Sequence, residues 1–105
     1  MPNIKPTKQV VMLADALRKR GVILEIEHWD RHKHVDIYIP AGRIYIEVDG
    51  VNHFTDMRQI MSDFQRDHYS DDDGFHTLRI PALVLPDEAL LIAKDIKKTM
   101  EKFIV

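Results

Sequence analysis

The chain has 105 residues, no cysteine, 15 Lys and Arg against 17 Asp and Glu, and a formal net charge of −2. A chain of this length folds around one core, so residues 1–105 are expected to form a single domain with no room for a second module. The lack of cysteine excludes a disulfide framework and thiolate zinc sites, and no apolar run approaches the ~20 residues that span a bilayer. There is no signal-peptide h-region, so a soluble, cytoplasmic protein without membrane contact is expected.

In chain order, Thr7 is placed to cap a helix running to about Arg20, with Val10, Val11, Leu13, Ala14 and Leu17 on its apolar side and Gly21 ending it. Val22 to Glu27 reads as a strand with Val22, Leu24 and Ile26 on one face. Val35, Ile37 and Ile39 alternate with Asp36 and Tyr38 in a second strand, Ala41-Gly42 turns the chain, and Ile44, Ile46 and Val48 alternate in a third. A helix from roughly Met57 to Tyr69 would bury Ile60, Met61 and Phe64. Asp71 to Gly74 is a turn, Phe75 to Ile80 a strand, and Pro81 to Pro86 a connection. Asp87 to about Phe103 closes the chain as a helix with the stripe Ala89, Leu90, Ile92, Ala93, Ile96 and Met100. The order αβββαβα predicts an α/β domain, a mixed sheet flanked by helices.

The chemistry concentrates between Val35 and His53. Alternation puts Glu47 and Asp49 on one face of the third strand. If the hairpin sets Asp36 across from Glu47, the two carboxylates share the face that a hard cation requires. A cation such as Mg²⁺ binds through one or two carboxylates, keeps waters and bridges to phosphate. Because Val35, Ile37, Ile46 and Val48 mark both strands as deeply packed, an unpaired carboxylate there is costly, which favours a function for it. Asp49-Gly50 is also a common turn signal. His53, four residues beyond Asp49, is either a loop histidine held by backbone or an imidazole able to move a proton near neutral pH.

This corner resembles the PD-(D/E)XK nuclease motif, and more narrowly the very-short-patch-repair (Vsr)-like endonucleases and the homing endonucleases with similar catalytic domains. Val35-Asp36-Ile37 is similar to the first acidic motif and Glu47-Val48-Asp49-Gly50 to the second, with Asp49 where the wider superfamily has Lys. His53 matches a histidine that works beside the metal. Asp63, Arg66 and the Gly74 to Ile80 run resemble the acid, arginine and glycine-led strand that follow. The likeness extends from about Thr7 to about Pro81. It implies a restriction-endonuclease-like core and a Mg²⁺-dependent endonuclease, with Mn²⁺ able to substitute, acting on double-stranded DNA. Asp36, Glu47 and the Val48 carbonyl would hold the metal, while His53, supported by Asp63, would be general base or acid. Asp49, Gln9, Arg66 and Arg79 would support the site, the two arginines either clamping phosphate or pairing with nearby acids. Val10, next to Gln9, occupies the place where related nucleases often carry a Glu.

Outside that corner, basic residues cluster at Lys5, Lys8, Arg18 to Arg20, at Arg31 to His34, and from Lys94 to Lys102. A negative net charge is unusual for a DNA-binding protein, and bound metal would offset part of it. His28, His32 and His34 lack the helical spacing of histidine zinc motifs, and a phosphate-contacting loop is the better use for them. Trp29 is either a core anchor or a wedge against DNA. Since nothing in the chain reads bases, the expectation is the catalytic domain of a homing endonuclease whose recognition region is absent, working as a homodimer to cut both strands. A repair or Holliday-junction nuclease, a non-catalytic binding module of the same fold, and a purely structural assembly domain are the rivals.

Overall fold

A computed structural model of the chain describes residues 6–31, 33–49, 57–62 and 76–103. Helix α1 spans Lys8–Lys19, and its opening is set by Thr7, whose hydroxyl oxygen accepts the Val10 N–H at 3.3 Å. That bond satisfies one of the donors a helix N-terminus leaves over. Arg18 and Lys19 lie in the last turn, where cations suit the helix dipole, and Gly21, at φ +81°, takes the left-handed step that ends the helix.

Residues 22–24 depart from the expected strand. The Val22 N–H donates to the Leu17 carbonyl at 3.1 Å, folding the segment back on the helix end. Val22 and Leu24 are buried there without joining the sheet. Strand β1 is Glu25–Trp29, and it pairs antiparallel with β2, His34–Ile39, through Glu25↔Tyr38 and Trp29↔His34. Pro40 follows β2 directly, and a residue with no N–H cannot extend a ladder.

The turn after β2 is a 3-10 turn over Pro40–Gly42 closed by Arg43 at φ 53°. It feeds β3, Ile44–Asp49, antiparallel to β2 through Ile37↔Ile46. Gly42 is required by a close approach: a Cβ there would lie 2.8 Å from the Ile44 Cδ1 and 3.3 Å from the Met100 Cγ. Residues 57–62, labelled α2, are helical and carry the buried Met57 and Met61. Strand β4, His76–Pro81, is parallel to β3 through Ile46↔Leu78 and Glu47↔Arg79. The sheet order is β1-β2-β3-β4, and the sequence αβββαβα is the expected one.

One face of the sheet is apolar. Ile37, Ile39, Ile44, Ile46, Leu78 and Ile80 form a single core with Leu13 and Leu17 of α1 and with the last helix, α3, Leu85–Phe103. This helix begins earlier than its sequence suggests, at Leu85. Leu85 thereby joins the buried stripe of Ala89, Ile92, Ala93, Ile96 and Met100, an i, i+4, i+7 series in which Leu90 lies one position off the face and is exposed. Val11 is exposed for the same reason on α1. Buried Thr99 satisfies its hydroxyl by donating to the Asp95 carbonyl at 2.9 Å.

Candidate active site

Alternation that buries the apolar face delivers a polar set to the other. On β2 these are His34, Asp36 and Tyr38, and on β3 Tyr45, Glu47 and Asp49, all half-buried. The pair Ile37↔Ile46 places Asp36 and Glu47 as the next neighbours outward, which is the register on which a shared carboxylate face depends. Asp36 is fixed from β3: its Oδ2 accepts the Val48 N–H at 2.7 Å. A charged acceptor makes this a strong bond, and it leaves Oδ1 outside the contact.

Glu47 is gripped by cations. Its Oε1 accepts from the Lys33 ammonium at 2.7 Å, and its Oε2 faces the Arg79 guanidinium at 3.0 Å. Lys33 comes from the β1–β2 turn, and Arg79 is the parallel cross-strand neighbour on β4. Arg79 thus makes the carboxylate pairing that was one of the two roles open to it. The lysine lies outside the acidic motif, and only the turn geometry delivers it.

Glu27 is the residue the sequence did not single out. It takes a left-handed backbone, φ 56°, inside β1, a conformation that costs a non-glycine residue energy. Its carboxyl is pushed above its ordinary value of 4.5, first by burial, then by the negative charge of Asp36, with His34 pulling partly the other way. Glu27 and Asp36 therefore sense one another as like charges across the β1–β2 pair. The left-handed residue also breaks strand alternation: His28, whose Cα partner is the buried Val35, carries its ring to within 4.3 Å of Tyr38 and 6.2 Å of Tyr45. The His28 Nδ1 lies 2.6 Å from Glu25 Oε2. Burial, with Tyr38 and Asp30 nearby, holds the Tyr45 hydroxyl above the usual phenol range and so protonated.

Val10 is 1% exposed and sits in the core, so α1 sends no acid to this face at that position, and Gln9 beside it is half-buried. His53, Asp63 and Arg66 lie outside the described residues. Among the described residues no three His, Asp or Glu side chains are grouped so as to enclose a metal ion. A hard divalent cation takes oxygen ligands and needs only one or two carboxylates; both Glu47 oxygens are engaged by Lys33 and Arg79, which leaves Asp36 as the carboxylate of this face with an oxygen outside its backbone contact. Asp36 supplies such a group, with Glu27 and Glu47 on either side and the Val48 backbone beside it.

A solved structure shares this architecture. It is the homing endonuclease I-Bth0305I catalytic domain, which superposes over 94% of this chain and 99% of its own with a TM-score of 0.60. The fold is that of this catalytic domain. At 19% identity the likeness is one of fold, and each side chain's role rests on its own surroundings. No protein-family model matches the sequence, and no curated protein does. Among the described residues no helix is long and apolar enough to cross a membrane.

Proposed function

We propose that this chain is a metal-dependent DNA endonuclease domain of the PD-(D/E)XK, Vsr-like kind, the catalytic part of a homing endonuclease. The observation that carries this reading is Asp36 locked to the Val48 N–H at 2.7 Å, beside Glu47 at the ends of two paired strands, in the fold shared with a homing endonuclease catalytic domain. Asp36, Glu47 and the Val48 carbonyl would hold Mg²⁺ or Mn²⁺. When bound, such a cation supplies Lewis acidity toward a phosphodiester.

The protein's own groups do the rest. The Val48 N–H orients the Asp36 carboxylate. Lys33 and Arg79 balance the charge of Glu47 and are within reach of an approaching phosphate. His53 would be the general base or acid with Asp63 in support, Arg66 a phosphate contact, and Asp49 and Gln9 supporting residues. Cutting both strands of a duplex requires two such sites, hence a homodimer on DNA.

A second reading is a module that binds DNA without cutting it. It is favoured by buried Val10 in place of an acid and by the engagement of both Glu47 oxygens with cations. Nicking of supercoiled plasmid separates the two. Conversion to open circle in Mg²⁺ or Mn²⁺, abolished by EDTA, supports the nuclease; metal-independent DNA binding with no nicking in either metal supports the module. Preference for synthetic junctions over linear duplex would move the assignment to a repair nuclease.

A further inference from the structure

The tip of the β1–β2 hairpin is built unlike a core element. Trp29, the only tryptophan of the chain, is 49% exposed at the end of β1. Its ring lies 5.0 Å from that of His34, inclined at 56°. The turn beyond it is closed at both ends: the Asp30 N–H donates to the Lys33 carbonyl at 3.0 Å, and the Lys33 N–H donates to Asp30 Oδ1 at 2.7 Å. Arg31 projects from the turn in a left-handed conformation, φ 84°, and is exposed. Lys33 is tethered through Glu47 to β3.

These features combine into a half-exposed aromatic side chain beside a hydrogen-bonded turn that carries the exposed Arg31. The acidic side chain of the turn, Asp30, is directed at the backbone of Lys33, and the Lys33 ammonium is held by Glu47, whereas Arg31 is exposed, so Arg31 is the cation the turn offers to a polyanion. His34, the cross-strand partner of Trp29, is two residues from Asp36 on the same face of β2. Whatever Trp29 touches is thus adjacent to the candidate site. A large aromatic pays little conformational entropy on binding, and a base stacked on one contributes ~1–3 kcal/mol irrespective of its identity.

The geometry points to the β1–β2 hairpin tip as a DNA-contact element, in which Trp29 stacks on a nucleobase exposed by local unstacking while the exposed Arg31 takes a flanking phosphate. This rests on the nuclease reading for its substrate and adds that the preferred DNA is locally opened, not uniformly paired. It also explains an exposed indole whose burial in the core would have been the ordinary outcome.

The full chain, with Ca²⁺ in place of Mg²⁺, is titrated with a short paired duplex, the same duplex carrying one unpaired nucleotide, and heparin as a polyanion without bases. Anisotropy of labelled DNA gives affinity, and tryptophan emission reports Trp29 alone. Emission should be quenched by both duplexes, with about 10-fold tighter binding to the opened one, whereas heparin should bind without quenching. Trp29→Ala should weaken DNA binding roughly 10-fold, the scale of one lost base stack, with heparin affinity unchanged; Trp29→Phe should recover most of the loss. Unaltered emission at saturating DNA, or wild-type affinity in Trp29→Ala, overturns the inference. Plasmid nicking run in parallel keeps the two readings apart. Nicking without a Trp29 effect sinks only the hairpin contact, and quenching without nicking sinks only the nuclease.

Discussion

Asp36 and Glu27 are like charges held together by the β1–β2 pairing, and this makes opposite predictions for stability and activity. Asp36→Asn keeps an oxygen for the Val48 N–H while removing the charge, so the fold should persist by circular dichroism. On the proposed reading, in which Asp36 holds the metal, its loss should slow plasmid nicking by roughly 10²-fold or more. Nicking at the wild-type rate would remove Asp36 from the metal. Glu27 is raised above 4.5 in the folded protein, so the folded state binds the proton more tightly than the unfolded one. Stability therefore falls as pH rises from the unfolded value through the folded one. Glu27→Gln should melt at a higher temperature than wild type at pH 7, and the gap should close as pH drops below the ordinary carboxylate range. A gap independent of pH would show that charge is not its source. The left-handed backbone of Glu27 was not legible in the sequence, because nothing in Glu25-Ile26-Glu27-His28 marks a left-handed residue. Asp36 and Glu47 were legible because alternation alone fixes their face, whereas the lysine at Glu47 arrives from a turn 14 positions away.

Among the elements, the β2–β3 connection is the most tightly specified. Gly42 packs against Ile44 and Met100, so Gly42→Ala forces the Ile44 side chain or the end of α3 to shift. The cost should be about 1–3 kcal/mol, the usual scale of overpacking, read as a lower urea midpoint with an unchanged m-value. An unchanged midpoint would mean that the Ile44 side chain gives way freely. The helices illustrate how far periodicity reaches. It locates α1 and α3 and most of their buried positions, but a run of apolar residues overfills the stripe: Leu90 directly follows the buried Ala89 and so lies about 100° off the face. The late start of β1 is a similar case. Val22 and Leu24 have strand-like alternation and are buried, yet the register that pairs Glu25 with Tyr38 would set Ile23 opposite Pro40, which has no N–H to carry the ladder on.

At the scale of the whole molecule, a net charge of −2 coexists with a basic turn, so affinity for DNA should be local and modest. Binding should be weak, show little sequence preference, and fall steeply with salt, by about 0.9 log units per log unit of salt for each phosphate neutralised. Salt-insensitive, sequence-specific binding by this chain would contradict an electrostatic hairpin contact. The order αβββαβα was readable because each element carries its own period, whereas the parallel pairing of β3 with β4 joins segments far apart in sequence and has no local signal. One feature of the sheet protects the molecule as a solute. β1 is an outer strand, and an outer strand with a regular ladder is a template for adding a strand from another molecule. The left-handed step at Glu27 interrupts that ladder at the middle of β1. The distortion beside the candidate site thus also makes β1 a poorer template for edge-to-edge pairing than a regular outer strand.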